Sequence, residues 1–258
     1  MSIRAKKHLG QHFLNDRNIS EKIARQYSSH RGCTRVLEVG PGMGALTEFL
    51  LKEKLDVWLM EIDTESIEHL NKCFPEQSDK IIEADFLKAD LKQLMGEGDF
   101  SVVGNFPYNI STQILFKCLE YRNQIPEIMG MFQKEVAQRI AEKPGTKKYG
   151  ILSVLLQTYY DIEYCFTVDE HVFTPPPKVK SGVIRCRRNE RERLPCDESL
   201  FVRIIKMSFN QRRKTIRNSI KQLIKGKGVE HELLALRPEA LAVDDFIELT
   251  QIVEKVMD

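Results

Sequence analysis

Between residues 35 and 132, short apolar runs of strand character alternate with stretches of helical periodicity, and this alternation constrains the fold more than any other feature of the chain. Strands are expected at 35–39, 57–62, 80–83, 100–104 and 127–132, and helices at 19–30, 45–52, 64–73, 111–120 and 134–141. Such a series packs as a mostly parallel sheet with helices on both faces. An apolar helix at 149–159 and two strand-like runs at 161–168 and 181–187, read as an antiparallel pair, complete the set. Beyond the charged segment 189–195 only helical periodicity remains, at about 198–210, 212–224, 230–236 and 244–257. The expected organisation is an α/β domain over 1–190 with a small all-helical domain over 191–258.

Charge is segregated rather than abundant. The net charge is only +2, yet residues 203–227 carry nine basic side chains and no acidic one. Residues 171–189 repeat the pattern with five, and the first fifteen residues hold Arg4, Lys6 and Lys7 against no acid. On a nearly neutral chain this fits a phosphate-facing surface, with Arg212, Arg213, Lys214, Arg217 and Lys178 as the candidate contacts. The six cysteines show no C-x-x-C spacing, so they read as free thiols in a reducing compartment, with no metal site. No apolar run approaches a signal peptide or the ~20 residues of a membrane span. A cytoplasmic protein without membrane contact is expected.

Three loops at the carboxyl ends of neighbouring strands should converge in such a sheet. The first, Gly40-Pro41-Gly42-Met43-Gly44, lets backbone approach a ligand closely, although a dinucleotide site could be built the same way. In the second, Glu61 ends its strand and can accept hydrogen bonds from both hydroxyls of a ribose. In the third, Asp85 either accepts from an adenine amine or caps the turn before Leu87.

The fourth loop, Asn105-Phe106-Pro107-Tyr108, decides between ligands. An exocyclic adenine nitrogen is a poor nucleophile because its lone pair is delocalised into the ring. Two carbonyl oxygens aimed at its two hydrogens draw it toward tetrahedral geometry; the Asn105 side chain and the Phe106 backbone supply one each. Pro107 stiffens the loop and holds Phe106 extended, and Tyr108 offers a flat face for the base. Phe173, before the triple proline 175–177, is the candidate second wall for a base flipped out of its stack. Together with Glu61 and Asp85, this loop favours S-adenosylmethionine over a nicotinamide dinucleotide and points to methyl transfer onto adenine N6.

These residues resemble the small-subunit rRNA adenine dimethyltransferases. The likeness runs through Leu9 to Asp16, Glu38 to Gly44, Glu61 to Asp63, Asp85, Gly104 to Tyr108, Gln133 to Ala137, Phe173 to Ser181 and Phe209 to Thr215. The resemblance implies a Rossmann-like class I S-adenosylmethionine-dependent methyltransferase sheet and two methyl transfers to each of two adjacent adenosines in the 3′-terminal hairpin of small-subunit rRNA. It also implies cofactor contacts from His12 and Leu14 beside those of Gly40, Gly42, Glu61, Asp85 and Asn105, and a monomer acting within the small ribosomal subunit. The alternatives are a large-subunit rRNA adenine methyltransferase, whose members look alike through the catalytic loop, and a ribosome-assembly factor acting mainly by binding.

Overall fold

The computed structural model describes residues 5–257, so Arg4 lies outside the described residues. The strands, in chain order, are β1 (Phe13–Leu14), β2 (Arg35–Val39), β3 (Asp56–Glu61), β4 (Ile81–Glu83), β5 (Ser101–Asn105), β6 (Glu127–Gln133), β7 (Tyr160–Val168), β8 (Phe173–Thr174) and β9 (Ser181–Arg188). The helices are α1 (Arg17–Gln26), α2 (Thr47–Lys52), α3 (Thr64–Cys73), α4 (Leu91–Met95), α5 (Ser111–Glu120), α6 (Lys134–Ala141), α7 (Ile151–Tyr159), α8 (Glu198–Asn210), α9 (Ile216–Ser219), α10 (Lys221–Ile224) and α11 (Val243–Met257).

Contacts divide the chain into two compact units, 1–137 with 161–188, and 138–160 with 189–258. The second therefore begins earlier than the expected boundary at 190/191, because it takes in residues 138–160 as well. The reason lies in α7, whose Leu152, Val154, Leu155 and Leu156 are all buried. A helix apolar nearly all round needs partners on several faces, and α7 finds them in α8 and α11.

The first unit holds a sheet of order β4-β3-β2-β5-β6-β9-β7. The β4-β3-β2-β5-β6 part is parallel throughout, and β9 runs antiparallel to β6. The strand pair expected from 161–168 and 181–187 is thus realised with β9 inserted between β6 and β7. Strands β2, β3, β5 and β6 bury Val36, Leu37, Val57, Leu59, Val102, Val103, Ile128 and Met129 completely, at 0% exposure. Covered on both faces, they read as continuous apolar runs rather than alternating ones. Chain direction across the sheet reverses between β2 and β5, which makes the carboxyl ends of those two strands the ligand-binding crevice of a doubly wound sheet. A separate two-stranded pair, β1 with β8, joins Leu14 to Phe173 in register.

In the second unit, Asp197 caps α8 by accepting from the Leu200 amide at 2.6 Å. Leu200, Phe201, Ile204 and Ile205 of α8 and Phe246, Leu249 and Val253 of α11 form its core at helical spacing. The helix expected over 212–224 is interrupted: α9 starts only at Ile216, after a turn closed by the Lys214 amide on the Gln211 carbonyl at 2.8 Å. The stretch 230–236 contains a 3-10 turn, Glu232–Ala235, in place of an α-helix. Among the described residues no helix is long and apolar enough to cross a membrane.

Candidate active site

A cavity of the first unit opens at the carboxyl ends of its parallel strands. Its walls come from the 8–14 segment, the glycine turn after β2, Glu61 and Ile62 after β3, residues 84–87 after β4, and residues 105–110 after β5. His12, Leu14, Gly40, Gly42, Glu61, Asp85, Asn105, Phe106, Pro107 and Tyr108 all line it. Phe173 does not. It is 2% exposed and packs with Leu14, Ile23 and Val183 in the core, because its strand pairing with Leu14 turns it into the protein. The expected second wall is therefore a core residue.

The glycine turn is held open by conformation and by space. Gly40, Gly42 and Gly44 have φ of +68°, +55° and +75°, a region that side chains other than glycine disfavour. A Cβ on Gly42 would stand 3.0 Å from the Phe13 ring. The Glu61 carboxyl beneath it is 5% exposed. It accepts from the Ile62 amide at 2.8 Å and the Asp63 amide at 3.0 Å through Oε1, and from the Gly42 amide at 3.0 Å through Oε2. A carboxylate has about four acceptor positions. Three are taken by backbone amides, which leaves one open position on Oε2. Burial pushes the Glu61 carboxyl up, and the three backbone bonds oppose that rise.

Asp85 caps the turn before Leu87, its Oδ1 accepting from the Leu87 amide at 3.0 Å, and the residue also lines the cavity. Ile62 lies beside Glu61 on the rim with half its surface exposed. Sequence reasoning missed it, because an isolated Ile before Asp63 carries no pattern of its own. Glu38 was likewise outside the expected set. It is 2% exposed, lines the cavity, and its Oε2 accepts from the Thr47 hydroxyl at 2.7 Å. Burial first, and the nearby Glu61 charge second, push its carboxyl up to about 8 against the pull of Thr47.

The donor set tests which ligand fits. Three carboxyl groups, Glu38, Glu61 and Asp85, line the cavity, and among the described residues no Lys or Arg does. A ligand that carries positive charge is favoured beside Glu61 and Asp85. The residues fit S-adenosylmethionine. Among the described residues no group of three or more His, Cys, Asp or Glu side chains is placed to hold a metal ion.

The loop after β5 is braced from several sides. Asn105 Nδ2 donates to the His12 carbonyl at 2.9 Å. The His12 ring lies against Tyr108, with centroids 5.5 Å apart and planes at 29°, and its Nδ1 sits 2.8 Å from the Pro175 carbonyl. The Tyr108 hydroxyl meets Ser181 Oγ at 2.5 Å; burial raises the phenol above its ordinary range, opposed by that bond. The 8–14 segment itself is tied down by Asp63, which accepts from Lys6 Nζ and from Gln11 Nε2, the latter at 3.1 Å. Although burial pulls the Asp63 carboxyl up, the bonds from Lys6, Gln11 and Ser66 together hold it below the usual range.

The basic candidates divide. Arg213, Lys214 and Lys178 are exposed. Arg212 instead donates to the Thr146 carbonyl at 2.9 Å and lies 3.7 Å from Glu239. Arg217 donates to the Val229 carbonyl at 3.0 Å and to Glu230 at 2.9 Å. Both are engaged within the second unit.

Comparison with known proteins agrees with the geometry. Residues 2–256 match the family model described as ribosomal RNA adenine dimethylase. The chain is 56% identical over 250 residues to ribosomal RNA small subunit methyltransferase A of Cytophaga hutchinsonii, covering 96% of each. To the protein of the same name from Flavobacterium johnsoniae it is 55% identical, covering 98% of this chain and 97% of the relative. Among solved structures, a dimethyladenosine transferase from Plasmodium falciparum shares the fold at a TM-score of 0.77 and 24% identity, with 95% and 98% of the two chains covered. The 23S rRNA methyltransferase ErmE is similar at a TM-score of 0.66 and 27% identity, with 93% and 99% covered.

Proposed function

The chain belongs to the ribosomal RNA adenine dimethylase family, and from that premise we propose that it places two methyl groups on the N6 amine of each of two adjacent adenosines in the 3′-terminal hairpin of small-subunit rRNA. It is an S-adenosylmethionine-dependent rRNA adenine dimethyltransferase, and ribosomal RNA is its substrate. On this reading it works as a monomer in the cytoplasm, on rRNA already assembled into the small subunit.

The observation that carries the reading is the state of the two acceptors at the end of β5. A carbonyl can only accept, so the Asn105 atom facing the His12 carbonyl is the amide nitrogen, and Oδ1 is the end turned elsewhere. Among the described residues neither Asn105 Oδ1 nor the Phe106 carbonyl accepts a hydrogen bond. They are the pair that takes the two N6 hydrogens and draws the nitrogen out of conjugation. Neither needs to be a strong base. Pro107 fixes the turn between them and Tyr108. Tyr108, one face against His12 and its hydroxyl on Ser181, is a rigid platform for the base, worth ~1–3 kcal/mol of stacking.

Gly40, Gly42, Glu61, Asp85, His12 and Leu14 hold the donor, which when bound supplies an electrophilic methyl group on a sulfonium. Fixing N6 in line with that methyl is worth ~7–11 kcal/mol of barrier. Lys178, Arg213 and Lys214 bind the RNA backbone.

The test is methyl transfer from labelled S-adenosylmethionine to small subunits lacking the hairpin modification, with large subunits and an Asn105→Ala enzyme as controls. Dimethyladenosine on small subunits, formed only by the intact enzyme, is the expected result. Label on large subunits would move the substrate to the other ribosomal RNA. Tight subunit binding without label would favour an assembly role.

A further inference from the structure

The Phe106 side chain is 1% exposed and lies against Phe132, with ring centroids 5.1 Å apart. It also straddles two strands. Gly104 of β5 and Gly130 of β6 are partners in the parallel register. A Cβ on Gly104 would stand 2.9 Å from Phe106 Cε1 and 3.1 Å from Cδ1. A Cβ on Gly130 would stand 2.7 Å from Cδ2 and 3.0 Å from Cζ, with Cε2 closer still. One edge of the ring therefore rests over each glycine.

Glycine is disfavoured inside strands unless another group must approach closely. Neither of these two glycines is among the positive-φ positions, so their backbones accept an alanine. At Gly130 the three heavy atoms nearest such a Cβ all belong to the Phe106 ring. At Gly104 a second obstacle exists, the Val39 carbonyl oxygen at 2.6 Å.

We propose that Gly130 is a positioning residue for the reaction: by leaving a gap in β6 it lets the Phe106 ring lie on the sheet, and so sets the height and direction of the Phe106 carbonyl that receives the target amine. Asn105 ends β5 on one side and Pro107 has a fixed φ on the other. A ring lifted by an added methyl is thus accommodated at Phe106's own backbone. The role rests on the reading of that carbonyl as an N6 acceptor.

The test compares the wild type, Gly130→Ala, Phe106→Leu, the Gly130→Ala/Phe106→Leu double variant, Gly104→Ala and Gly104→Ala/Phe106→Leu. Gly130→Ala is expected to lower kcat at least ~10-fold, since small misplacements of reacting groups have effects of this order. Its KM for RNA and its calorimetric Kd for S-adenosylmethionine should stay within about twofold. Leucine lacks the ring atoms that the new methyl meets, so the double variant should recover to within about threefold of Phe106→Leu alone, with Tm recovering in parallel. Phe106→Leu should not rescue Gly104→Ala, because the Val39 carbonyl remains. A wild-type kcat in Gly130→Ala, a loss that Phe106→Leu does not relieve, or an equal loss of cofactor affinity would overturn the proposal. Should Gly130→Ala fail to fold, a folded and active double variant supports it and an inactive one overturns it. Failure of the wild type to label small subunits would instead strike the functional reading, and the Tm cycle would still judge the contact between Gly130 and Phe106.

Discussion

The side-chain amide of Asn105 is held by the backbone carbonyl of His12 at 2.9 Å, across 93 residues of sequence. The segment expected to touch the cofactor therefore also orients the group expected to touch the base. Because the contact uses the His12 backbone, it survives a change of side chain at position 12.

Asn105→Asp separates orientation from acceptance. The substitution keeps an acceptor oxygen but removes the donor and sets a carboxylate against the His12 carbonyl. Loss of a single aligned group in a preorganised site costs about 10²–10³-fold in kcat, and a fall of that order is expected in single-turnover methyl transfer. Activity near the wild type would show that the bond to His12 is irrelevant.

Glu61→Ala removes one open acceptor from the cavity and strands three amides, those of Gly42, Ile62 and Asp63. Affinity for S-adenosylmethionine should fall roughly 10–100-fold, as for hydrogen bonds to a charged group. Tm should fall as well, because the Gly42 and Asp63 amides are left unpaired in buried surroundings. Calorimetry and thermal melts read the two effects separately; unchanged affinity would remove Glu61 from the site.

Glu38 makes stability depend on pH in an unusual direction for a carboxyl. Its value in the fold is about 8 against 4.5 unfolded, so between those values the folded protein binds the extra proton. Stability contributed by this group is complete below pH 4.5 and is lost progressively as pH rises toward 8, each unit being worth about 1.4 kcal/mol at most. Melts between pH 5 and 8 should decline more steeply for the wild type than for Glu38→Gln. Parallel curves would show that Glu38 titrates normally.

Arg213 and Arg212 are sequence neighbours with different surroundings. Arg213→Ala should weaken RNA binding and lower the slope of log K against log salt by somewhat less than one, as loss of one phosphate contact requires. Arg212→Ala should act mainly on Tm, since it releases the Thr146 carbonyl and Glu239. Equal salt slopes for both variants would refute the distinction.

Much of this was legible in the chain. The parallel strands are buried on both faces and announce themselves as apolar runs, and the turns after β2 and β5 carry glycines or a proline with few alternatives. What the sequence hides is pairing between distant short segments. β1 and β8 have two residues each, too few for any periodicity, yet their pairing places the 8–14 segment and buries Phe173. The gap at Gly130 is equally silent, because a glycine in an apolar run shows no ring above it. The basic stretch 212–224 keeps a helical rhythm through a turn in which Arg212 is fixed by Thr146 and Glu239. The placement of 138–160 with the second unit follows from partners found only in three dimensions.

The cavity, lined by carboxyls and, among the described residues, by no lysine or arginine, sorts its ligands by electrical charge as well as by shape. Methylation takes one unit of positive charge out of that cavity. The spent donor faces the same Glu61 and Asp85 with a weaker attraction than the fresh one. An enzyme that must use four donors to finish one pair of adenosines gains from such a bias, since each transfer by itself loosens what has to leave before the next can begin.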